Sequence, residues 1–343
     1  MNPCLFSTLR YDADMHRGPL EGAKFKLIRL AASFIQSLAK PHQGFLIRPV
    51  NRLQNEGSDC GGVLEKVGIV IQGPVSSFLH AEELATFVHQ LTKVIDTNLL
   101  IVSTWDCEAS RYFESIAPCK VILNNDVGFA NNFQRQLFST SSGLTYLKSL
   151  GVDISIKLRI DQTLDPLAIA LLSNIVLGDR YSGRLIFSSM NSYTHRFFGL
   201  SDMLNAGSTD DMLEFWSPDI LSQYFLTSTA TIDLPFSSWI NDIKPHWFES
   251  FLCIRFAYSK GTKFSDSPWD DYMAFLSNWV VLVDSEIIDQ KWSKIKSPLY
   301  SLTERSLFNP SVAFDDSEMT QSIWFAISEG AYRAPQKDYD FDH

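Results

Sequence analysis

Cysteine is scarce and scattered in this chain. Its five thiols, Cys4, Cys60, Cys107, Cys119 and Cys253, are odd in number, widely spaced and without a CxxC pair. That pattern excludes a disulfide framework and a thiolate zinc site, and it fits a reducing compartment. Positive charge is short as well: 29 Lys and Arg against 39 Asp and Glu leave a net charge of -10. A nucleic-acid partner calls for a basic footprint, so no nucleic acid is expected. No apolar run is long enough to span a bilayer. The N-terminal stretch carries Asp12 and Asp14 and no apolar signal core, which predicts a chain that is not secreted and works in the cytoplasm. The seven histidines show no HxxxH spacing, and neither a GxSxG elbow nor a GxxxxGK phosphate loop occurs. Internal repeats and low-complexity tracts are lacking too.

What is present suits a large α/β protein. With 343 residues, 45% hydrophobic and 20% charged, the chain can bury a large core in one big domain or one domain with additions. Aromatics make up 13%, led by 25 Phe, which means thick core packing first and stacking surfaces for sugars or bases second. Residues 1–62 read as an N-terminal extension that closes in the linker Asn55–Gly62, residues 63–335 as the main domain, and 336–343 as an acidic tail that frays. Within the extension, Leu27, Ile28, Leu30, Ala31, Phe34, Ile35 and Leu38 recur at helical spacing behind Lys24, Lys26 and Arg29. This helix packs on the main domain in the first reading. In the second it makes a peripheral contact at the inner face of the cytoplasmic membrane.

From Lys66 onward short apolar strands alternate with helices. Strands are expected at Val67–Ile71, Leu99–Val102, Lys120–Leu123, Ile154–Ile160 and Leu185–Ser188, and helices at His80–Asp96, Asn131–Leu150 and Pro166–Leu177. That alternation implies a mostly parallel central sheet flanked by helices on both faces, joined by right-handed crossovers. Ser201–Trp216 reads as a short strand, a turn at Gly207 and a helix. Trp247–Tyr258 reads as a helix and Trp279–Val283 as a strand.

The candidate chemistry collects after the strands, where open α/β sheets hold their ligands. Ile154–Ile160 is a buried strand that nevertheless carries Lys157 and Arg159 and leads to Asp161. Strand alternation puts these three on one face, opposite Leu158 and Ile160. Two cations and an acid there suit a phosphorylated donor, with Asp161 a ligand for Mg²⁺ or Mn²⁺; the bland alternative is a structural ion pair. Position 159 is Arg, so no Asp-x-Asp pair stands here. Gln72, Gly73 and Pro74 follow the first strand, where glycine admits close backbone approach and the Gln amide can pair with a base or ribose. Thr104 and Trp105 end the second strand, and Trp105 either stacks on a base or caps the core. Asn132, Arg135 and Gln136 open a helix, a place that favours anions. Asp202 stands at the start of the expected strand, and Asp211 begins a helix, where a capping role competes with a chemical one. Glu249 is nearly alone on a very apolar helix. It suits a general base acting on a hydroxyl, unless Arg255 or His246 pairs with it.

Taken together these segments resemble the WavE lipopolysaccharide-synthesis family of bacterial proteins. The resemblance runs over about residues 66–295. It rests on Ile69–Val75, Leu100–Trp105, Asn125–Gly128, Asn131–Thr140 with Gly143 and Leu144, Lys157–Asp161, and Ser201 and Asp202 with Gly207 and Asp211. It implies a GT-A-like single domain and a nucleotide-sugar-dependent glycosyltransferase of lipopolysaccharide or surface-polysaccharide assembly, with a glycan or lipid-linked glycan as acceptor. The nucleotide would lie across Gln72, Gly73, Pro74, Thr104 and Trp105. Arg135, Lys157, Arg159 and a metal on Asp161 would hold the pyrophosphate, and Glu249 or Asp211 would take the acceptor proton. Two rivals stay open: a non-catalytic glycan-assembly protein that keeps the fold, and a sugar nucleotidyltransferase, although Gln72–Ser77 lacks the basic residues such a loop would carry.

Overall fold

The protein is described from a computed structural model, which covers residues 66–126, 132–192, 197–218, 248–293 and 319–328. All of these fall in one compact unit, Asp59–Lys294 with Phe314–His343. The N-terminal extension with its Lys24–Lys40 helix, the Asn55–Gly62 linker, His246 and the acidic tail lie outside the described residues.

Seven strands form the main sheet: β1 (Val67–Gln72), β2 (Leu100–Trp105), β3 (Lys120–Asn124), β4 (Ile154–Arg159), β6 (Leu185–Ser188), β7 (Leu204–Ser208) and β8 (Val280–Val283). Their order is β3-β2-β1-β4-β7-β6-β8. The inner strands are near-continuous apolar runs, as a sheet covered on both faces requires; all six residues of β1 are buried. Pairing is parallel between β1, β2, β3 and β4 and between β6 and β8, while β7 runs antiparallel to both β4 and β6. The sheet is therefore mostly parallel with one reversed strand. A separate two-stranded ribbon pairs β5 (Gln162–Thr163) with β9 (Lys291–Trp292).

The helices among the described residues are α1 (Phe78–Leu91), α2 (Glu108–Ile116), α3 (Asn132–Ser149), α4 (Ala168–Leu177), α5 (Thr209–Phe215), α6 (Phe248–Ser259), α7 (Pro268–Trp279) and α8 (Gln321–Ser328). α1 begins where the Ser77 hydroxyl accepts from the His80 amide, an N-cap that the helical periodicity starting at His80 does not reveal. α3 lies on β1 at unusually short range. A Cβ on Gly143 would stand 2.5 Å from Val70 Cγ1, so only glycine lets the helix come so close. Gly207 departs from expectation: it is a residue of β7 rather than a turn. A Cβ there would meet Leu185 Cδ2 at 2.5 Å, so the glycine serves close packing against β6.

Register assigns each polar side chain to a face. Val70 pairs with Lys157, and Lys157 with Asn205, so these lie on the face that carries α3. Gln72, Ser103 and Arg159 share that face at the carboxyl ends of their strands.

Candidate functional site

The direction of β7 decides which residues meet. Leu204 pairs with Leu158 near the carboxyl end of β4, and Ser208 pairs with Ile154 at the other end. Asp202, just before β7, is thereby brought beside Lys157 and Arg159. Asp211, just after it, goes to the opposite edge of the sheet. There Ser208 Oγ caps α5 by accepting from the Asp211 amide at 3.1 Å, and the Asp211 carboxylate takes Lys260 Nζ at 2.6 Å, which also binds Glu214. Asp211 is thus a cap and ion-pair residue, away from the other candidates.

At the carboxyl edge the charges interlock. Arg159 donates through Nε and Nη2 to the two oxygens of Asp161, at 3.1 and 2.9 Å. The indole N–H of Trp292 also donates to Asp161 Oδ2, at 2.9 Å, and the Trp292 ring lies 5.6 Å from the guanidinium. β4 ends at Arg159, so Asp161 reaches its partner from the following turn rather than from the strand. Burial opposes the charge of Arg159, but Asp202 and Asp161 outweigh that and raise its pKa.

Lys157 is fully buried. Its ammonium donates to the Asp202 carbonyl and lies 4.5 Å from the centre of the Trp216 ring. Burial pulls its pKa down to about 8, against the pull of Asp202, Asp161 and Glu249. The Asp202 carboxylate accepts from the Gln136 side-chain amide on α3. Glu249, in the first turn of α6, is near enough to favour the charged forms of both Lys157 and Arg159. α6 is brought there by the Phe133–Phe248 stack, 4.7 Å between centroids, which joins its start to that of α3. Arg255 donates to the Glu214 carbonyl at 3.3 Å.

The remaining candidates line the same edge. Gln72 is buried at the end of β1, and its carbonyl accepts from the Ile160 amide at 2.8 Å. Gly73 has φ of +143°, and a Cβ there would stand 2.5 Å from Ile160 Cγ2, so this loop needs glycine. Pro74 is exposed. Thr104 is buried and accepts from the Val75 amide at 3.3 Å, while Trp105 stacks on Phe138 of α3 with centroids 6.3 Å apart. Asn132 is exposed at the start of α3. Arg135 holds Asp126 in the loop after β3, at 2.7 Å. Among the described residues no group of three or more His, Cys, Asp and Glu side chains is arranged to hold a metal. Asp161 is already engaged by Arg159 and Trp292.

Four contributors escape a reading of the sequence alone. His80 Nδ1 accepts from the Ser76 amide at 3.2 Å while Nε2 faces the Ile160 carbonyl at 3.5 Å, so His80 ties together the loops after β1 and β4. Trp216 and Trp292 arrive from distant segments with no local signal. Gln162 adjoins Asp161 in sequence, and that adjacency is the one clue to it. Among the described residues no helix is long and apolar enough to cross a membrane.

Three solved structures similar to this chain are a glycosyltransferase involved in the glycosylation of the major capsid of PBCV-1, a cytidylyltransferase from Leptospira borgpetersenii serovar Hardjo-bovis, and a mannose-1-phosphate geranyltransferase from Thermus thermophilus. The first is 9% identical, covers 71% of this chain and 99% of its own, and has a TM-score of 0.36. The second is 16% identical with 74% and 98% covered and a TM-score of 0.31. The third is 8% identical with 53% and 68% covered and a TM-score of 0.28. Likeness at this level does not bear on activity. No curated protein sequence matches the chain. The sequence profile of a family described as WavE lipopolysaccharide synthesis matches residues 67–238, half of the chain, from the first residue of β1 past α5. The chain belongs to the WavE lipopolysaccharide synthesis family.

Proposed function

We propose that the protein is a nucleotide-sugar-dependent glycosyltransferase acting in lipopolysaccharide or surface-polysaccharide assembly. The observation that carries this reading is the gathering of Lys157, Arg159, Asp161, Asp202 and Glu249 at the carboxyl edge of a mostly parallel sheet. Family membership supplies the biological setting.

The donor nucleotide lies along the loop Gln72–Pro74 and the end of β2, with its diphosphate toward Arg159 and Arg135. Arg159 keeps Nη1 outside its bidentate bond to Asp161, so it can meet a phosphate without leaving its partner. Lys157 stands behind as a fixed positive charge rather than a direct ligand, since it has no surface. Charge that grows on the departing diphosphate is stabilised by this preorganised set. Glu249, only half-buried, takes the proton of the acceptor hydroxyl as its oxygen attacks the anomeric carbon. A divalent cation, if used, would have Asp161 as its protein ligand and would supply further stabilisation of the charge on the departing diphosphate.

A second reading is favoured by one observation: Arg159, Asp161, Asp202 and Lys157 largely satisfy one another, as in a sugar-binding protein without catalysis. Calorimetry against UDP-, GDP-, CMP- and dTDP-linked sugars, with and without Mn²⁺, tests the proposal on wild type and Arg159→Ala. One nucleotide should bind and stabilise the wild type, and the variant should lose it. Turnover of that donor with glycan acceptors then separates transfer from binding alone. A folded protein that ignores the whole panel rules out the proposal.

A further inference from the structure

We propose that the side-chain amide of Gln162, with that of Gln290 beside it, is a subsite for neighbouring hydroxyls of a neutral pyranose. This rests on the glycosyltransferase reading, for which it names the part of the substrate held. Both residues are more than nine-tenths buried. Gln162 Nε2, Gln162 Oε1 and Gln290 Nε2 have no hydrogen-bond partner. Buried polar atoms without partners are uncommon in native proteins, and three on one small ribbon mark a place prepared for something else.

The ribbon brings them together. Gln162 pairs with Trp292, so these two share one face of the ribbon, and Gln290 stands immediately before β9 at the end of the turn that leads into it. Burial puts the two amides on the inner side: Gln162 and Gln290 are buried and Trp292 is half-buried, while Thr163 and Lys291 are exposed. Diagonal neighbours on such a pair are within reach of long side chains. Gln290 is fixed because its Oε1 accepts from Ser188 Oγ at the end of β6, which leaves its NH₂ to donate. Trp292 on the same face donates to Asp161, the partner of Arg159. The amides therefore sit next to the charges that would hold the diphosphate.

The chemistry of the pair selects its ligand. A carboxamide offers one acceptor and two donor hydrogens and no charge. It suits hydroxyls, which both donate and accept, better than phosphate or carboxylate. The unpaired atoms have no contact with solvent, so binding here requires the ribbon to shift. The pyranose belongs either to the donor or to the acceptor.

The test compares UDP-, GDP-, CMP- and dTDP-linked sugars with the matching free nucleotides, and separately methyl pyranosides of glucose, galactose and mannose, on wild type, Gln162→Met and Gln290→Met. Expected is an advantage of about tenfold for a nucleotide-sugar over its free nucleotide, from two added hydrogen bonds. That advantage should vanish in Gln162→Met, with affinity for the free nucleotide kept and no fall in melting temperature, because no internal bond is lost. Gln290→Met should lose the advantage in part and, because it also gives up the bond from Ser188, should melt lower; it serves if Gln162→Met does not fold. If instead the methyl pyranosides bind and lose affinity in the variants, the acceptor sugar occupies the subsite. An advantage that survives in both variants, or a lowered melting temperature of Gln162→Met with both ligands weakened alike, overturns the inference. Pyranoside binding that depends on Gln162 without any nucleotide binding sinks the donor reading but keeps the subsite. Silence from both ligand classes sinks both.

Discussion

Lys157 is a cation with no surface, and its stability effect follows from that. Its pKa in the folded chain is about 8, below the ordinary 10.5. Between those values the unfolded chain holds a proton that the folded one has released, so raising the pH through this window favours folding. At or below pH 8 that gain is absent. Relative to Lys157→Met, the wild type should gain up to about 3 kcal/mol between pH 8 and 10.5, at ~1.4 kcal/mol per pH unit. Urea unfolding of both proteins across that range measures it; a constant difference would show that the ammonium is not desolvated. Gly73 makes a backbone demand instead. Its φ of +143° and the nearby Ile160 leave no place for a Cβ. Gly73→Ala should cost about 1–3 kcal/mol, and an unchanged urea midpoint would refute it.

Among the elements, the strands are the most legible in sequence, because parallel strands covered on both faces are short apolar runs that few other structures share. β1, β2, β3, β4 and β6 lie where that pattern puts them. α2 carries a helical stripe too, Ala109, Tyr112, Phe113 and Ile116, but over nine residues it is too short to stand out between the strands. The direction of β7 escapes for another reason. The five residues Leu204–Ser208 would make a strand in either sense, and only pairing with β4 and β6 fixes which. That is why Asp202 and Asp211, nine residues apart in sequence, cannot be separated in advance, and why the bond from Trp292 to Asp161 cannot be seen. The contact of α3 with β1 gives an element-scale test. Gly143→Ala should push the helix off Val70 and cost about 1–3 kcal/mol, as overpacking does. Adding Val70→Ala frees the space, so the double variant should lose less stability than the sum of the two single variants. Strict additivity in urea unfolding would show that the two do not touch.

For the whole molecule, the proposed site and the Asp211–Lys260–Glu214 cluster lie at opposite edges of the sheet. Asp211→Asn in that cluster should lower stability by about 1 kcal/mol, since its bond to Lys260 is partly solvent-screened. It should leave nucleotide affinity unchanged, whereas Arg159→Ala should abolish it; a matching loss of affinity in Asp211→Asn would mean that the edges communicate. The strand order also constrains how the chain is made. β6 lies between β7 and β8, and β8 comes at Val280–Val283. On a ribosome moving at ordinary speed, β6 finds β7 promptly but keeps its other side open for roughly 5–20 s until β8 is synthesised. Through that interval the nascent chain displays an apolar, hydrogen-bonding margin that any neighbouring polypeptide can join. Yield of active protein should then depend on translation speed and on chaperone supply more than the stability of the finished fold suggests.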